Sequence, residues 1–339
     1  MATLAEGFSP KQFQLAFAAE ADGVGAGEAT DADYKFINID SIEMPSLNPN
    51  QVLDVRHGVG RTLKEGDMFL SNKLTVKEIS FSGIADATTL PMLLSNITSD
   101  ASSAYEIDAN YAGIDLQDGD AVSDNTKTFA VVIITPEGAQ QQYFKGCVLT
   151  SLTLNGDISE ESGRLKVSGT FKTGHKPALD DTTIAPTAPT YFNTNYFMTD
   201  YASGETGATT RPFGLSDDPV MKSFSLTIEN DAVFSGYDSD GNYQQILRAI
   251  PEVSVTFDAV IKYDATTDNL IQTFENQSSS TLATSLIAKD NATRNIDITL
   301  AKSILTDVSF SEEDAMFLSV SSKGVAGASG SKIVSITVE

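Results

Sequence analysis

The chain has 339 residues, 41% of them apolar, which is enough for two domains with buried cores. Its 46 acidic and 22 basic residues give a formal net charge of −24, so a surface that binds nucleic acid or anionic membranes is not expected. One cysteine excludes an intramolecular disulfide, and the sequence shows neither a signal-peptide pattern nor an apolar run long enough to cross a membrane. We expect a protein that is made, and used or assembled, in the cytoplasm.

The N-terminal part predicts an arm followed by strands. Residues 1–33 are rich in Ala, Gly and acidic side chains, which indicates an N-terminal arm or lining loop outside the core. A strand is predicted to begin at Tyr34. In residues 74–83 the apolar positions change parity halfway, which indicates either a bulge at Lys77–Glu78 or a strand buried on both faces.

A helix is predicted over residues 88–98, where large aliphatic side chains recur with helical spacing. Thr88 is the expected N-cap residue, and Pro91 lies in the first turn, where proline is tolerated.

An acidic segment follows this helix. Residues 100–126 contain seven acidic side chains and no Lys or Arg, which predicts a solvated loop or hairpin facing something that must not bind anions. The candidate lumen or loop residues are Asp100, Glu106, Asp108, Asp115, Asp118, Asp120 and Asp124.

A long hairpin is predicted in the middle of the chain. A buried strand over residues 128–138 precedes two alternating strands over residues 143–156 and 164–172, which an acidic turn joins. The inward-facing side chains are expected to be Val148, Leu152 and Leu154 in the first strand, and Leu165, Val167 and Phe171 in the second.

The second half predicts further strands after a linker. Residues 175–190 contain three prolines and no apolar period, so they are the predicted linker. A helical turn is predicted over residues 243–250 and a short helix over residues 267–275. The buried strand faces are expected to carry Phe224, Leu226 and Ile228, and then Val253, Val255, Phe257, Ala259, Ile261 and Tyr263. Further strands are predicted near residues 294–300, 303–309, 315–321 and 332–338, which favours an all-β or α+β sandwich-like architecture.

A weak internal repeat is visible between the halves. VLTSLTL (148–154) matches VMKSFSL (220–226), and VSGTF (167–171) and VSVTF (253–257) follow them in turn. The repeat is explained either by chance similarity between strands or by two tandem copies of one β-domain.

The residues that usually carry chemistry are scarce. The two histidines, His57 and His175, fall in a Gly-rich loop and in the predicted linker, and both are expected at the surface. Cys147, at the start of a strand, is expected to be a small buried residue rather than a nucleophile. Residues 115–120 and 238–242 resemble calcium loops only in composition and are interpreted as Asp/Gly turns. No catalytic residue, metal site or cofactor is predicted, and we expect no enzyme activity.

Three blocks of sequence, in order, resemble the tail tube proteins of siphophages, the long-tailed bacteriophages. The first is QLAFAAEADGVGAGEA (14–29) with RHGVGR (56–61) after the following strand. The second is YFKGCVLTSLTLNGDISEESGRLKVSGTFKTG (143–174). The third is VMKSFSLTIENDAVFSG (220–236) with IPEVSVTFDAVIKYD (250–264). Together the blocks span most of the chain.

The resemblance implies a mainly β fold with two tandem tail-tube domains, each a β-sandwich or barrel with a short flanking helix and a long hairpin. The expected division is an arm (1–33), a first domain (34–174), a linker (175–190) and a second domain (191–339).

The resemblance also implies an assembly. Three chains would close a pseudo-hexameric ring, and the rings would stack into the hollow tail tube of the virion, assembled in the host cytoplasm. The implied partners are further copies of the chain and the tape measure, tail terminator and tail tip proteins. DNA would pass through the lumen without specific binding, because an acidic channel repels phosphates. The alternative is a surface or extracellular β-rich adhesin or S-layer-like module.

Overall fold

The fold is described from a computed structural model. It describes residues 12–21, 23–27, 33–45, 51–53, 68–70, 75–98, 104–108, 114–117, 128–135, 141–180, 197–198, 211–215, 219–248, 253–276, 282–289, 295–312, 316–326 and 332–338.

Most of the described chain forms antiparallel strands, and the predicted mainly β fold class is confirmed. The strands are β1 (Gln14–Ala19), β2 (Lys35–Ile37), β3 (Ile39–Glu43), β4 (Gln51–Leu53), β5 (Met68–Leu70), β6 (Lys77–Ile84), β7 (Ala104–Asp108), β8 (Ile114–Gln117), β9 (Phe129–Ile134), β10 (Gln141–Asp157), β11 (Lys166–Thr173), β12 (Ala178–Asp180), β13 (Phe197–Met198), β14 (Met221–Glu229), β15 (Ala232–Ser235), β16 (Gln245–Arg248), β17 (Ser254–Lys262), β18 (Leu282–Lys289), β19 (Asn295–Glu312), β20 (Met316–Gly324) and β21 (Lys332–Val338). The helices are α1 (Thr89–Thr98) and α2 (Asp268–Glu275), with short 3-10 turns at Glu161–Gly163 and Pro212–Gly214.

One large sheet connects the two halves of the chain. Its main path runs β13-β18-β19-β20-β17-β14-β10-β11-β6-β3, and β10 of the first half pairs directly with β14 of the second. β1, β2, β7, β9, β12 and β21 pair alongside this path, while β15-β16-β8 and β4-β5 form two small sheets. The division into domains at 34–174 and 191–339 stays a prediction.

The N-terminal segment contributes to the core, contrary to its interpretation as an arm or lining loop. β1 lies between β2 and β9, and Leu15 to Ala18 are fully buried. Because its apolar side chains pack on both faces, this strand forms part of the fold. The predicted linker is also partly structured, since β12 pairs with β10, and residues 181–190 lie outside the described residues.

The predicted bulge at Lys77–Glu78 is wrong. β6 begins at Lys77 and pairs with β11 without a register shift, so Val76 precedes the strand and the change of parity marks the strand's start. Helix α1 is confirmed, but its N-terminal cap is Asp86 rather than Thr88. The Asp86 carboxylate accepts hydrogen bonds from the backbone N–H groups of Thr88 and Thr89, at 2.8 and 2.9 Å.

The long hairpin is confirmed, with one change in its inward face. A register shift lies between Leu149 and Ser151 in β10. It turns Leu149 into the main core with Leu152 and Leu154, while Val148 packs in a separate cluster. The prediction that Val148 shares a face with Leu152 and Leu154 is therefore wrong.

The second half follows the prediction with two changes. The predicted helical turn at 243–250 is wrong, because residues 245–248 form β16, which pairs with β15 and β8. The two strands predicted near 294–300 and 303–309 are one strand, β19. Helix α2 and the buried faces of β14 and β17 are confirmed.

The strand pairing of the first half recurs in the second. In the first half β3 pairs with β6, β6 with β11, β11 with β10 and β10 with β9. In the second half β14 pairs with β17, β17 with β20, β20 with β19 and β19 with β18. Helix α1 follows β6, and α2 follows β17. The chain therefore contains one strand-and-helix arrangement twice.

The irregularities of the two series match as well. One matching pair of register shifts lies at Leu149/Ser151 in β10 and at Leu305/Asp307 in β19. A second matching pair lies at Ile39/Ser41 in β3 and at Met221/Ser223 in β14. Because a β-bulge is a specific feature of a strand, matching bulges align the two halves residue by residue. In this alignment β10 corresponds to β19, β11 to β20, β6 to β17 and β3 to β14.

This alignment corrects the repeat inferred from sequence. VLTSLTL (148–154) lies in β10 and VMKSFSL (220–226) falls mostly in β14. These strands are paired neighbours whose counterparts are β19 and β3, so the two segments are not copies of each other. The counterpart of VLTSLTL is ILTDVSF (304–310) in β19. A second matching pair is DATT, which stands at 86–89 before α1 and at 264–267 before α2.

Candidate assembly surface and its supporting contacts

Two of the open edges of the large sheet, among the described strands, belong to strands whose counterparts β14 and β10 are paired on both sides. β3 pairs only with β6, so one side of Ile39–Glu43 is open. Beyond Ser303, β19 pairs only with β20, so one side of residues 304–312 is also open. An open strand edge presents unpaired backbone N–H and C=O groups and is a template for pairing with another chain.

Several large apolar side chains are exposed at or near these edges. Ile304 and Phe310 in β19 are 48% and 51% exposed, Met316 in β20 is 51% exposed, and Met44, next to β3, is 38% exposed. Their counterparts in the other half are Val148, Leu154, Leu165 and Leu226, and all four are at most 1% exposed. The same positions are therefore covered where the two halves meet and uncovered at the outer edges.

The predicted acidic residues are divided among different surroundings. Asp100, Asp118, Asp120 and Asp124 lie outside the described residues. Glu106, in β7, forms an ion pair with Lys332 and accepts a hydrogen bond of 2.9 Å from Ser335. Asp108 and Asp115 are exposed, in β7 and β8, and Asp115 accepts a hydrogen bond from Gln245. The segment predicted as a loop or hairpin thus contributes two described strands, which pair with β21 and β16.

Glu20 is a buried structural residue that was not among those predicted from the sequence. Its carboxylate is buried and accepts hydrogen bonds from the backbone N–H groups of Gly25, Gly27 and Gly146 at 2.9, 3.1 and 2.9 Å, and from the Thr128 hydroxyl. One side chain therefore ties the turn after β1 to the start of β9 and to β10. The signal in the sequence was the single Glu between an apolar strand and a Gly-rich turn.

A second buried polar group joins α1 to the sheet. The Arg248 guanidinium, 2% exposed, donates hydrogen bonds to the backbone carbonyls of Asn96 and Leu149. The Asn96 side chain accepts a hydrogen bond from the Leu149 N–H, and Asn230 donates to the Ile97 carbonyl. A cation near the C-terminal end of a helix is favoured by the helix dipole, so these contacts hold α1 against β10.

Lys172 in β11 forms ion pairs with an acid between β14 and β15 and with an acid of the neighbouring strand β6. Lys172 lies 2.8 Å from Asp231 and 3.6 Å from Glu78. Partial burial raises the pKa of Asp231, but the hydrogen bonds from Lys172 and the Ala232 N–H and the charges of Lys172 and Arg248 outweigh it. The pKa of Asp231 is therefore below its ordinary value.

His175 is buried, so its prediction as a surface residue is wrong. Its ring lies against Gly146, which has a φ of +58°. Cys147 is buried as predicted, and burial, followed by the Glu20 charge, raises the pKa of its thiol well above the ordinary value. His57 lies outside the described residues.

Two further findings concern metals and membranes. Among the described residues, no three His, Cys, Asp or Glu side chains are grouped so that they could hold a metal ion. Neither α1 nor α2, the helices of the described chain, is long and apolar enough to cross a membrane.

The comparisons with known proteins place the whole of this architecture in one family. Residues 11–339 match the family described as phage tail tube protein. A search of curated proteins finds no match. The match covers nearly the whole chain, including both series of strands and both open edges. The chain therefore belongs to the phage tail tube protein family and is a structural component of the phage tail.

Proposed function

We propose that this protein assembles with copies of itself into rings that stack to form a hollow tail tube, through which DNA passes during ejection. The family supports a role in the tail, and the two open edges of one sheet support assembly from identical copies. Three chains, each with two similar halves, would form a pseudo-hexameric ring. The tail is proposed to be of the siphophage type, and the protein to act as a structural protein without catalytic activity.

The observation that carries this proposal is the pair of open edges. A head-to-tail contact between different surfaces of one chain closes into a ring when its rotation permits, and stacking of the rings then extends the assembly. Tape measure, tail terminator and tail tip proteins would bind at the lumen and the two ends of such a tube.

The test of assembly is direct. Purified protein, concentrated at physiological salt, is expected to form rings or hollow tubes in negative-stain electron microscopy. A protein that stays monomeric at every concentration and salt condition would refute the proposal.

The acidic candidates are proposed to line the lumen, where they would keep DNA from adhering. Replacing the two exposed described acids, Asp108→Lys with Asp115→Lys, is expected to leave tubes intact and to reduce DNA ejection from assembled phage. Asp240→Lys with Glu275→Lys, at two other exposed acids, makes the same change of net charge and serves as the control. Undiminished ejection in the first double variant would place Asp108 and Asp115 away from the lumen.

A further inference from the structure

We infer that the outer edge of β19 pairs with β3 of the next copy of the chain, in the register with which β10 pairs with β14 inside one chain. The inference rests on the proposed self-assembly and specifies the two surfaces that meet. The partner is a second copy, because each open edge corresponds to a strand that already has such a partner within the chain.

The internal junction supplies the template. β10 and β14 pair antiparallel from Ser151↔Glu229 to Asp157↔Ser223. β10 corresponds to β19, and β14 corresponds to β3. Each chain therefore contains one occupied junction between its halves and the two separate sides of a second junction, one on β19 after Ser303 and one on β3. Because the open sides of β19 and β3 are two different surfaces of one molecule, they fit a head-to-tail contact between identical copies.

When the register of β10 with β14 is applied to β19 and β3 of the next copy, specific side chains lie opposite each other. Inside the chain Leu154 lies opposite Leu226, and both are 1% exposed. Their counterparts are Phe310 and Met44, which are 51% and 38% exposed in the single chain. Residues directly opposite in antiparallel strands have Cβ atoms about 5 Å apart, so the pairing would bury both apolar side chains against each other.

Charge supports the same register. In it Ser311 faces Glu43 of the next copy, so this acid lies opposite a neutral side chain. A shift by four residues would set Asp307 opposite Glu43. Like charges directly opposite destabilise a strand pair, and a one-residue slip would also turn Phe310 to the wrong face.

A second position of the junction shows the same difference. Inside the chain, Val148 is covered by side chains of β8, β15 and β16, including Ile246 and Ala232. The counterpart of Val148 is Ile304, which is 48% exposed. Ile304 is therefore a further apolar side chain that the next copy would cover.

Disulfide cross-linking tests the register. The variant Ser311→Cys with Glu43→Cys places the two thiols opposite each other between copies. Within one chain the two positions cannot meet, because six strands of the sheet separate β3 from β19. The positive control is Asn155→Cys with Ser225→Cys, the corresponding pair inside the chain. The off-register control is Asp307→Cys with Glu43→Cys, displaced by about 13 Å along the strand.

Oxidised tubes of the first variant are expected to give covalent multimers on a non-reducing gel, reversed by reductant. The positive control is expected to give an oxidised monomer, and the off-register variant no multimers. If tubes form and the positive control oxidises, but Ser311→Cys with Glu43→Cys gives no multimers, the edge pairing is refuted and tube assembly stands. If neither variant nor wild type assembles, the proposed function fails, and the edge pairing fails with it.

Discussion

Asp86 and Asp264 make the same hydrogen bonds at the starts of the two helices. Each carboxylate accepts from the backbone N–H groups two and three residues further on, Thr88 and Thr89 in one case and Thr266 and Thr267 in the other. Each precedes the residues ATT, so the local sequence and the local structure agree. This correspondence lies outside the strands, so it supports the alignment of the two halves independently of strand pairing.

The first prediction concerns the exposed aromatic at the open edge. Phe310→Asp is expected to abolish ring and tube formation, because it would place a charge in the proposed contact with Met44 of the next copy. Phe310 is half exposed in the single chain and packs edge-to-face on Tyr263, with ring centroids 5.3 Å apart. Loss of this contact is expected to cost the monomer about 1 kcal/mol, which lowers its thermal unfolding midpoint by a few degrees but leaves it folded.

Val233→Asp is the matched control for Phe310→Asp. Val233 is 41% exposed and lies in the small sheet away from both open edges. It introduces the same charge, and tubes are expected to form. Normal tubes from Phe310→Asp, seen by electron microscopy, would contradict the prediction.

The second prediction concerns the buried carboxylate. Glu20→Gln is expected to destabilise the protein by about 2 kcal/mol or more, since a neutral amide accepts fewer and weaker hydrogen bonds than the carboxylate that serves four donors. Urea unfolding followed by circular dichroism measures the change. Asp40→Asn, at an exposed position of β3, is expected to change stability by less than about 0.5 kcal/mol. Equal stability of the two variants would contradict a structural role for Glu20.

The third prediction separates backbone strain from steric overlap. Gly146 and Gly236 have φ values of +58° and +68°, where any Cβ is unfavourable. A Cβ on Gly146 would also lie 2.3 Å from Cδ2 of His175, whereas one on Gly236 would lie 3.5 Å from the nearest side-chain atom, on Gln244. Gly236→Ala is expected to cost about 1 kcal/mol and Gly146→Ala clearly more, measured by denaturant unfolding. A similar loss in both would show that the His175 ring moves aside freely.

The fourth prediction concerns pH. The pKa of Asp231 is lower in the folded protein than its ordinary value, so its contribution to stability is fully present above about pH 4 and is lost as the pH falls through the lowered pKa. Asp231→Asn is expected to be less stable than wild type at pH 7, by no more than about 1 kcal/mol for a partly exposed ion pair.

The measurement for Asp231 is urea unfolding of both proteins across acidic pH. The difference is expected to shrink towards zero as Asp231 becomes protonated. Asp240→Asn, in an exposed turn, is the control and is expected to show no such trend. A constant difference at all pH values would show that the charge of Asp231 is not what stabilises the fold.

Local pattern was enough to predict much of this fold. Alternation identified β10, β11, β14 and β17, and helical spacing identified α1 and α2, because each of these elements buries one face against the same core. The net charge made a DNA-binding surface unexpected, and the three sequence blocks indicated the tail tube family that the whole-chain match then showed.

Other features depended on contacts distant in sequence. Residues 14–19 have a composition that fits an arm, but they are buried because β2 and β9 flank them on both sides. His175 lies in a proline-containing segment, yet Gly146 leaves room for its ring. The repeat predicted from sequence matched the wrong strands, β10 with β14, because neighbouring strands of one sheet use the same small set of β-forming residues.

By itself the sequence determined the β-rich class and the acidic net charge, since these follow from local periodicity and composition, while the family was indicated by the resemblance of three sequence blocks. Only the tertiary structure decided which strands correspond, because strand order and register are set by hydrogen bonds between segments far apart in the chain. The same bonds leave one side of β3 and one side of β19 unpaired, and that result assigns the edges at which copies of the chain are proposed to meet.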